Sequence, residues 1–200
     1  MKRLLAFLAL CTAASACVQA ADPITLGLSY PRTGSYKEEG LAQMRGALLA
    51  IDELNAQGGV LGRSLRLSSL DDASKPDKAV RNVDKLIKEG AAMLFGGASS
   101  AVAIAAGKRA AQQGLLYFGT LTYSNDTTGK DGHRYMFREC NNAWMSAQVL
   151  GQYLNKQLPD KRYFYVTADY TWGHTTESSL RQTTSTCLLY TSDAADDSLR

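Results

Sequence analysis

The residues with the clearest potential for chemistry lie in the stretch AAMLFGGASSAVA at 91–103. An apolar, strand-like run breaks there at Gly96 and Gly97, and a helix-like run starts from Ser99 or Ser100. At the carboxyl end of a strand in an open α/β sheet, paired glycines let a ligand approach the backbone, and the next helix offers unpaired N–H groups with a partial positive charge. The junction therefore predicts a site for a carboxylate or a carbonyl group. The alternative is that Ser99 or Ser100 merely caps the helix.

The rest of the sequence offers little for catalysis. His133 and His174 are the only histidines, and neither has a second metal ligand at useful spacing. There is no P-loop, no GxGxxG after the first predicted strand and no GxSxG nucleophile turn. Adjacent carboxylates at 38–39 and 71–72 are explained by surface positions. We therefore expect no enzymatic activity, no metal and no cofactor.

Strand-like and helix-like segments alternate strictly along the chain. We predict strands at 24–29, 64–70, 92–95, 115–118, 135–138 and 163–167. Helices are predicted from Glu38 to Leu54, from a capping box of Ser74 and Asp77 to Gly90, at 100–112, and at 143–158 behind a cap at Asn141 or Asn142. This order predicts parallel βαβ units and an α/β fold with a doubly wound parallel sheet.

Polar or aromatic residues follow four of the predicted strands, at 30–36, 97–100, 120–123 and 169–172. The carboxyl ends of parallel strands meet at one edge of a sheet, so these loops are expected to converge. Each loop alone is explained as a structural turn, whereas four on one rim favour a binding cleft. Tyr170 and Trp172 could cover an apolar or cationic face of a ligand.

The first residues have the features of an export signal. Lys2 and Arg3 precede an apolar run and small residues, and cleavage is expected after Ala20, which makes 1–20 a signal peptide. The apolar run is much shorter than the roughly 20 residues that cross a membrane. Alternatively, the sequence ASAC ending at Cys17 is a weak lipoprotein box that would give a lipid anchor.

Charge and cysteine content limit the partners. The formal net charge is +3, and loss of Lys2 and Arg3 with the signal leaves +1, with basic and acidic residues interspersed, which argues against a nucleic-acid partner. Outside the signal, Cys140 and Cys187 could pair in an oxidising compartment. From about residue 183 the periodicity fails, so 183–200 is predicted to be a non-native or disordered tail.

The chain resembles type I periplasmic binding proteins, which feed ABC importers for branched-chain amino acids, amides and urea. The resemblance covers about 24–181, and its most specific motifs are GALLAIDELNAQGGVLGRSLRL, FGGASSAVA and ADYTWG. It implies an N-terminal lobe at 21–138 and, at 139–182, only the beginning of a second lobe.

The same resemblance implies a set of ligand contacts: Tyr36, Glu39, Ala98, Ser99, Ser100, Thr120, Leu121, Thr122, Tyr170 and Trp172. The residues at 98–100 would hold the carboxylate or amide of the ligand, and Thr120 and Thr122 its amino or amide end. Tyr170 and Trp172 would close on the ligand from the second lobe. Glu39 stands where leucine-type binders carry an aromatic residue.

The function implied is that of a periplasmic solute-binding protein. It would bind a small amino-acid-like or amide ligand between two lobes that close by hinge motion, and deliver it to an ABC permease in the inner membrane. The alternative is a ligand-sensing receptor or regulator domain on the same fold. The predicted signal peptide argues against a cytoplasmic sensor.

Overall fold

The computed structural model describes residues 22–159 and 161–186. Within these ranges the strands are β1 (Ile24–Tyr30), β2 (Leu65–Asp71), β3 (Ala91–Gly96), β4 (Tyr117–Gly119) and β5 (Met136–Arg138). The α-helices are α1 (Lys37–Ala56), α2 (Pro76–Lys88), α3 (Ser100–Gln112), α4 (Ala143–Gln157) and α5 (Thr171–Thr184). None of these helices is long and apolar enough to cross a membrane.

The strands form one parallel sheet in the order β2-β1-β3-β4-β5. The chain winds outward from β1 to β2 on one side and from β3 to β5 on the other, which confirms the predicted α/β fold with a doubly wound parallel sheet. The direction reverses between β1 and β3. The loops that follow these two strands therefore border the crevice where such sheets bind ligands.

The two faces of the sheet are covered unequally. On one face, Leu94 of β3 shares a continuous buried core with Val83 of α2 and Val102 of α3. The opposite face meets only α1 among the described helices, and an apolar groove of about 360 Å³ lies between α1 and strands β1, β3 and β4. The first face supplies the rigid support for the turn between β3 and α3.

Three predicted helix starts can be compared directly with the structure. Helix α3 has the predicted bounds, Ser100–Gln112, and Asn142 caps α4 by accepting a hydrogen bond from the Met145 N–H at 2.8 Å. The predicted capping box at Ser74 is wrong. Ser74 adopts a left-handed conformation with φ of 60° and accepts a hydrogen bond from the Tyr36 N–H, while α2 starts only at Pro76.

The strand predicted at 163–167 is also wrong. The side chains at 163–167 alternate between half-buried and exposed, as in a strand, but the segment pairs with no other strand in the described ranges. A strand needs a neighbour to satisfy its N–H and C=O groups. Helix α5, which the sequence did not predict, follows this segment and packs against α4.

The C-terminal boundary of the folded part differs from the predicted one. Helix α5 runs through Thr184, and the Thr183 hydroxyl accepts a hydrogen bond from the Gln148 amide at 3.0 Å, so the tail predicted from residue 183 begins inside a packed helix. Cys140 is a half-buried free thiol. The predicted signal peptide at 1–20, Cys17 and Cys187 lie outside the described residues.

Candidate functional site

The turn between β3 and α3 depends on its two glycines. Gly96 and Gly97 have φ values of 135° and 82°, which L-residues rarely adopt. A Cβ at Gly96 would lie 2.0 Å from the carbonyl oxygen of Ser29, and one at Gly97 would lie 2.6 Å from the Cβ of Ala103. The backbone can pass so close to its neighbours only because no side chain intervenes. This places the N-terminus of α3 at the crevice.

Neither serine of the turn caps the helix with its side chain. Ser99 is the N-cap residue by position, yet its hydroxyl makes no capping hydrogen bond. The Ser100 hydroxyl instead accepts the Ser124 N–H at 3.0 Å and so ties α3 to the loop after β4. The first N–H groups of a helix have no partner within it, and here no capping side chain competes for them. They can donate to a ligand.

A cavity of about 230 Å³ opens at this point. It is lined by Tyr36, Glu39, Ala98, Ser100, Leu121, Tyr123, Ala168, Tyr170 and Trp172. The lining comes from all four strand-end loops that the sequence predicted to converge. Seven of the residues singled out from the sequence lie here: Tyr36, Glu39, Ala98, Ser100, Leu121, Tyr170 and Trp172.

Three other residues singled out from the sequence do not line the cavity. Thr122 is fully buried, and its hydroxyl is 2.6 Å from that of Thr127. Thr120 borders the apolar groove beside α1 and donates its hydroxyl hydrogen to the carbonyl oxygen of Gly96 at 3.2 Å. Ser99 is buried at the foot of α3. The Thr120 hydroxyl supports the turn, whereas that of Thr122 bonds within the loop after β4.

Two lining residues, Tyr123 and Ala168, were not singled out from the sequence. Tyr123 closes the predicted strand-end loop 120–123, and Ala168 opens the motif ADYTWG, so each stands in a segment that had been recognised. Neither residue type marks a site by itself. Only the fold shows that both face the same space as Tyr170.

Aromatic side chains from both halves of the structure meet over the cavity. The Tyr36 hydroxyl donates a hydrogen bond to the Tyr170 hydroxyl at 2.9 Å, and the Tyr170 and Trp172 rings lie 5.9 Å apart at 37°. Burial raises the pKa of Tyr170 well above its usual value. Tyr170 is therefore a neutral phenol with its own hydroxyl hydrogen available to an acceptor.

A carboxylate at the end of β2 holds the loop that carries Tyr36. Asp71 accepts hydrogen bonds from the N–H groups of Arg32 and Thr33, at 2.9 and 3.2 Å, and pairs with Lys78 at 2.9 Å. Partial burial would raise the pKa of Asp71, but the bonds from Lys78, Ala73 and Thr33 outweigh it and hold that pKa well below its usual range.

The neighbouring carboxyl, Asp72, is not on the surface as the sequence suggested. It is fully buried, accepts the Ser74 N–H at 2.9 Å, and its pKa is raised mainly by burial. Ser74 in turn accepts the Tyr36 N–H at 3.1 Å. The β2–α2 loop thus fixes the backbone of Tyr36 through the hydrogen bonds of Asp72 and Ser74.

The segment that carries Tyr170 and Trp172 is held by the loop after β4. The Ser124 hydroxyl lies 2.9 Å from that of Thr171, and Thr171 also donates to Asp126 at 2.9 Å. The Asn125 amide donates to the Ser179 hydroxyl at 2.9 Å, about two turns further along α5. These polar contacts hold α5 against the loop after β4.

Two other concavities are larger but differ in character. The groove beside α1 and a depression of about 600 Å³ along the outer face of α4, lined by Met145, Val149 and Tyr153, are almost wholly apolar. Neither joins a helix N-terminus to polar side chains from several loops. Within the described residues, no group of three or more His, Cys, Asp or Glu side chains could hold a metal ion.

Comparison with known proteins gives a consistent result. The model of the periplasmic binding protein family matches residues 23–186. The Leu/Ile/Val-binding protein BraC3 of Rhizobium johnstonii is 34% identical over 139 residues, which are 70% of this chain and 38% of that protein.

Solved structures agree. An amino acid ABC transporter substrate-binding protein from Pseudomonas fluorescens superposes with a TM-score of 0.72 and 27% identity, covering 82% of this chain and 43% of that one. A substrate-binding protein from Desulfitobacterium hafniense in complex with Leu gives 0.69 and 25%, covering 82% and 47%. The chain thus spans less than half the length of the relatives it matches.

Proposed function

The chain belongs to the periplasmic binding protein family, and on that premise we propose that it is the solute-binding component of an ABC importer, with no enzymatic activity of its own. Its ligand would be a small amino-acid-like or amide molecule held in the cavity at the strand ends. The observation that carries this proposal is the convergence of three strand-end loops and the segment that leads into α5 on one cavity beside the free N-terminus of α3.

We place residues 21–138 in the first lobe of the binding unit and 139–182 at the start of the second. The matched part of this chain covers 38–43% of the length of these relatives, so further sequence would supply the rest of the opposite wall. We also propose that residues 1–20 direct export to the periplasm, where an inner-membrane ABC permease would receive the ligand-bound protein.

The mechanism proposed is capture followed by closure. The N–H groups at the start of α3, where Ala98 and Ser100 line the cavity, would donate to the carboxylate or carbonyl of the ligand, helped by the helix dipole. Tyr170 and Trp172 would then cover the ligand as the second lobe swings in. The permease would recognise the closed form, because ligand binding shifts the population toward it.

Relatives support the ligand class. One is named as a Leu/Ile/Val-binding protein, and a structure at 25% identity is a complex with Leu. The two features shared with a binding site for such molecules are a helix N-terminus for a carboxylate and an aromatic cover for the remainder.

Calorimetric titration of the full-length protein that contains this chain tests the proposal. The panel is the branched-chain amino acids, lysine, 5-aminopentanoate, small aliphatic amides and urea. We expect at least one to bind, with affinity reduced at least about tenfold by Trp172→Ala and unchanged by the control Trp144→Ala on the outer face of α4. Binding of none of them, with the protein folded, would refute the proposal.

A further inference from the structure

The cavity is electrically asymmetric. Among the described residues that line it, Glu39 is the only acidic one, and none is Lys, Arg or His. Among the residues that the structure describes, Glu39 has neither an ion-pair partner nor a side-chain hydrogen bond, in contrast to Asp71, Asp77, Asp84, Asp131 and Glu177, which all pair with basic side chains. A carboxylate is therefore left unpaired at the edge of the cavity.

The same cavity is rich in aromatic rings. Tyr36, Tyr123, Tyr170 and Trp172 all line it, and they come from three different loops. The faces of aromatic rings carry negative electrostatic potential and attract cations, most strongly when water is excluded and when the ring is tryptophan. An unpaired carboxylate beside four such rings favours a cationic group over a neutral alkyl group.

A different part of the cavity lining, at the start of α3, favours negative charge. Ala98 and Ser100 mark the N-terminus of α3, where the helix dipole and the free N–H groups favour an anion. Charges outside the lining do not reverse this pattern. Asp169, next to Tyr170, is an exposed acid 3.1 Å from His174, whereas the Lys37 side chain lies on the exposed first turn of α1 outside the cavity.

We propose that the cavity selects a small carboxylate ligand whose far end carries a cationic nitrogen, such as a primary ammonium or alkylated ammonium on a short chain. The carboxylate would lie at α3, and the cation between Glu39 and the aromatic rings. This inference rests on the proposed solute-binding function and deepens it, because closure around a purely apolar side chain would leave the Glu39 carboxylate partly desolvated without a counter-charge.

Paired probes test the inference on the full-length protein by calorimetry. Lysine is compared with leucine as the charged and the apolar amino acid, and 5-aminopentanoate with pentanoate, a pair that differs only in the terminal ammonium group. We expect each cationic member to bind at least about tenfold more tightly than its partner, and the preference to weaken as salt is raised from 20 to 500 mM.

The variant Glu39→Gln should lower the affinity for lysine about tenfold and the affinity for leucine less than about threefold. Glu38→Gln is the matched control, since Glu38 is the neighbouring carboxylate on α1 but does not line the cavity, and it should change neither. Trp172→Leu keeps an apolar surface without the ring. It should lower the affinity for lysine more than the affinity for leucine, which tests the aromatic contribution separately.

The results distinguish a failure of the proposed charge preference from a failure of solute binding itself. If leucine binds and lysine does not, or if Glu39→Gln affects both ligands equally, the inference about charge is wrong while solute binding stands. If no member of either pair and none of the amides binds to the folded protein, both fail.

Discussion

Gly96 and Gly97 show how two residues without side chains create a binding corner. Their positive φ values and their clearance from Ser29 and Ala103 are both incompatible with a Cβ. The site thus depends on the absence of side chains at these two positions. Without them the chain can turn there, and the N-terminus of α3 reaches the cavity.

Gly96→Ala should destabilise the protein by about 3 kcal/mol, since it combines a left-handed backbone with an overlap against the Ser29 carbonyl. Gly46→Ala is the matched control. Gly46 lies in the exposed middle of α1 with no atom within 4 Å of its Cβ position, so alanine should stabilise by about 0.5–1 kcal/mol. Urea unfolding measures both, and equal effects would contradict the structural account of the turn.

Because the pKa of Asp71 is lowered by folding, we predict that the stability of the protein depends on pH. The contribution of Asp71 is complete at neutral pH and is lost as the pH falls below about 4 toward the folded pKa. Asp71→Asn should therefore cost about 2 kcal/mol at pH 7 and less at pH 2.5. Unfolding curves at both pH values check this, with the exposed Asp77→Asn as control; a cost that grows in acid would contradict the assignment.

Tyr117 tests the interior of the first lobe. Its hydroxyl is fully buried and has no hydrogen-bond partner among the described residues, so Tyr117→Phe should change stability by less than about 0.5 kcal/mol. Tyr117→Leu removes ring volume from the same place and should cost about 2 kcal/mol or more. A loss above 1 kcal/mol for the phenylalanine variant would show that the hydroxyl donates to a buried partner.

At the residue scale, the sequence predicted where the cavity lies better than it predicted which side chains face it. The glycine pair and the strand-end loops located the cavity, because backbone requirements and parallel topology can both be inferred from residue types. The hydroxyls of Thr120 and Thr122 could not be assigned in the same way. A threonine in a rim loop can face the ligand or the protein, and here both bond inward, to Gly96 and Thr127.

Among the elements, the segment at 161–168 has the side-chain alternation of a strand but no neighbouring strand to pair with in the described ranges. Phe164 and Val166 are 73% and 78% exposed, and no described strand pairs with the segment. In the 200-residue chain its amides should therefore exchange with deuterium far faster than those of β1 and β3. Hydrogen exchange with mass spectrometry checks this, and strong protection at 161–168 would contradict the unpaired state.

The elements that the sequence missed have a physical explanation. A strand pattern states which side chains alternate but not whether a neighbour exists, so 163–167 was predicted as a strand. Helix α5 was missed because TWGHTTESSLRQTT is rich in serine and threonine, which disfavour helices. In the structure several of these hydroxyls bond back along the helix, as Thr183 and Thr184 do to the carbonyls of Ser179 and Leu180.

For the whole molecule, the central feature is that the first lobe brings its own strand-end loops together with Tyr170 and Trp172 from beyond β5. The contact between the two parts is polar, through Ser124, Thr171 and Asp126, while the core of the first lobe is apolar. A polar contact is the kind of interface that can open and close.

The most direct test uses Trp172 as a reporter of ligand binding. In the full-length protein, Trp144→Phe removes the other tryptophan of this chain, which lies half-exposed on α4, and a matched variant that also carries Trp172→Phe supplies the background. Titration with the proposed panel should give a saturable change in Trp172 fluorescence with the same dissociation constant as calorimetry. Calorimetric binding without any change at Trp172, or no binding by a folded protein, would contradict the claim that this cavity is the ligand site.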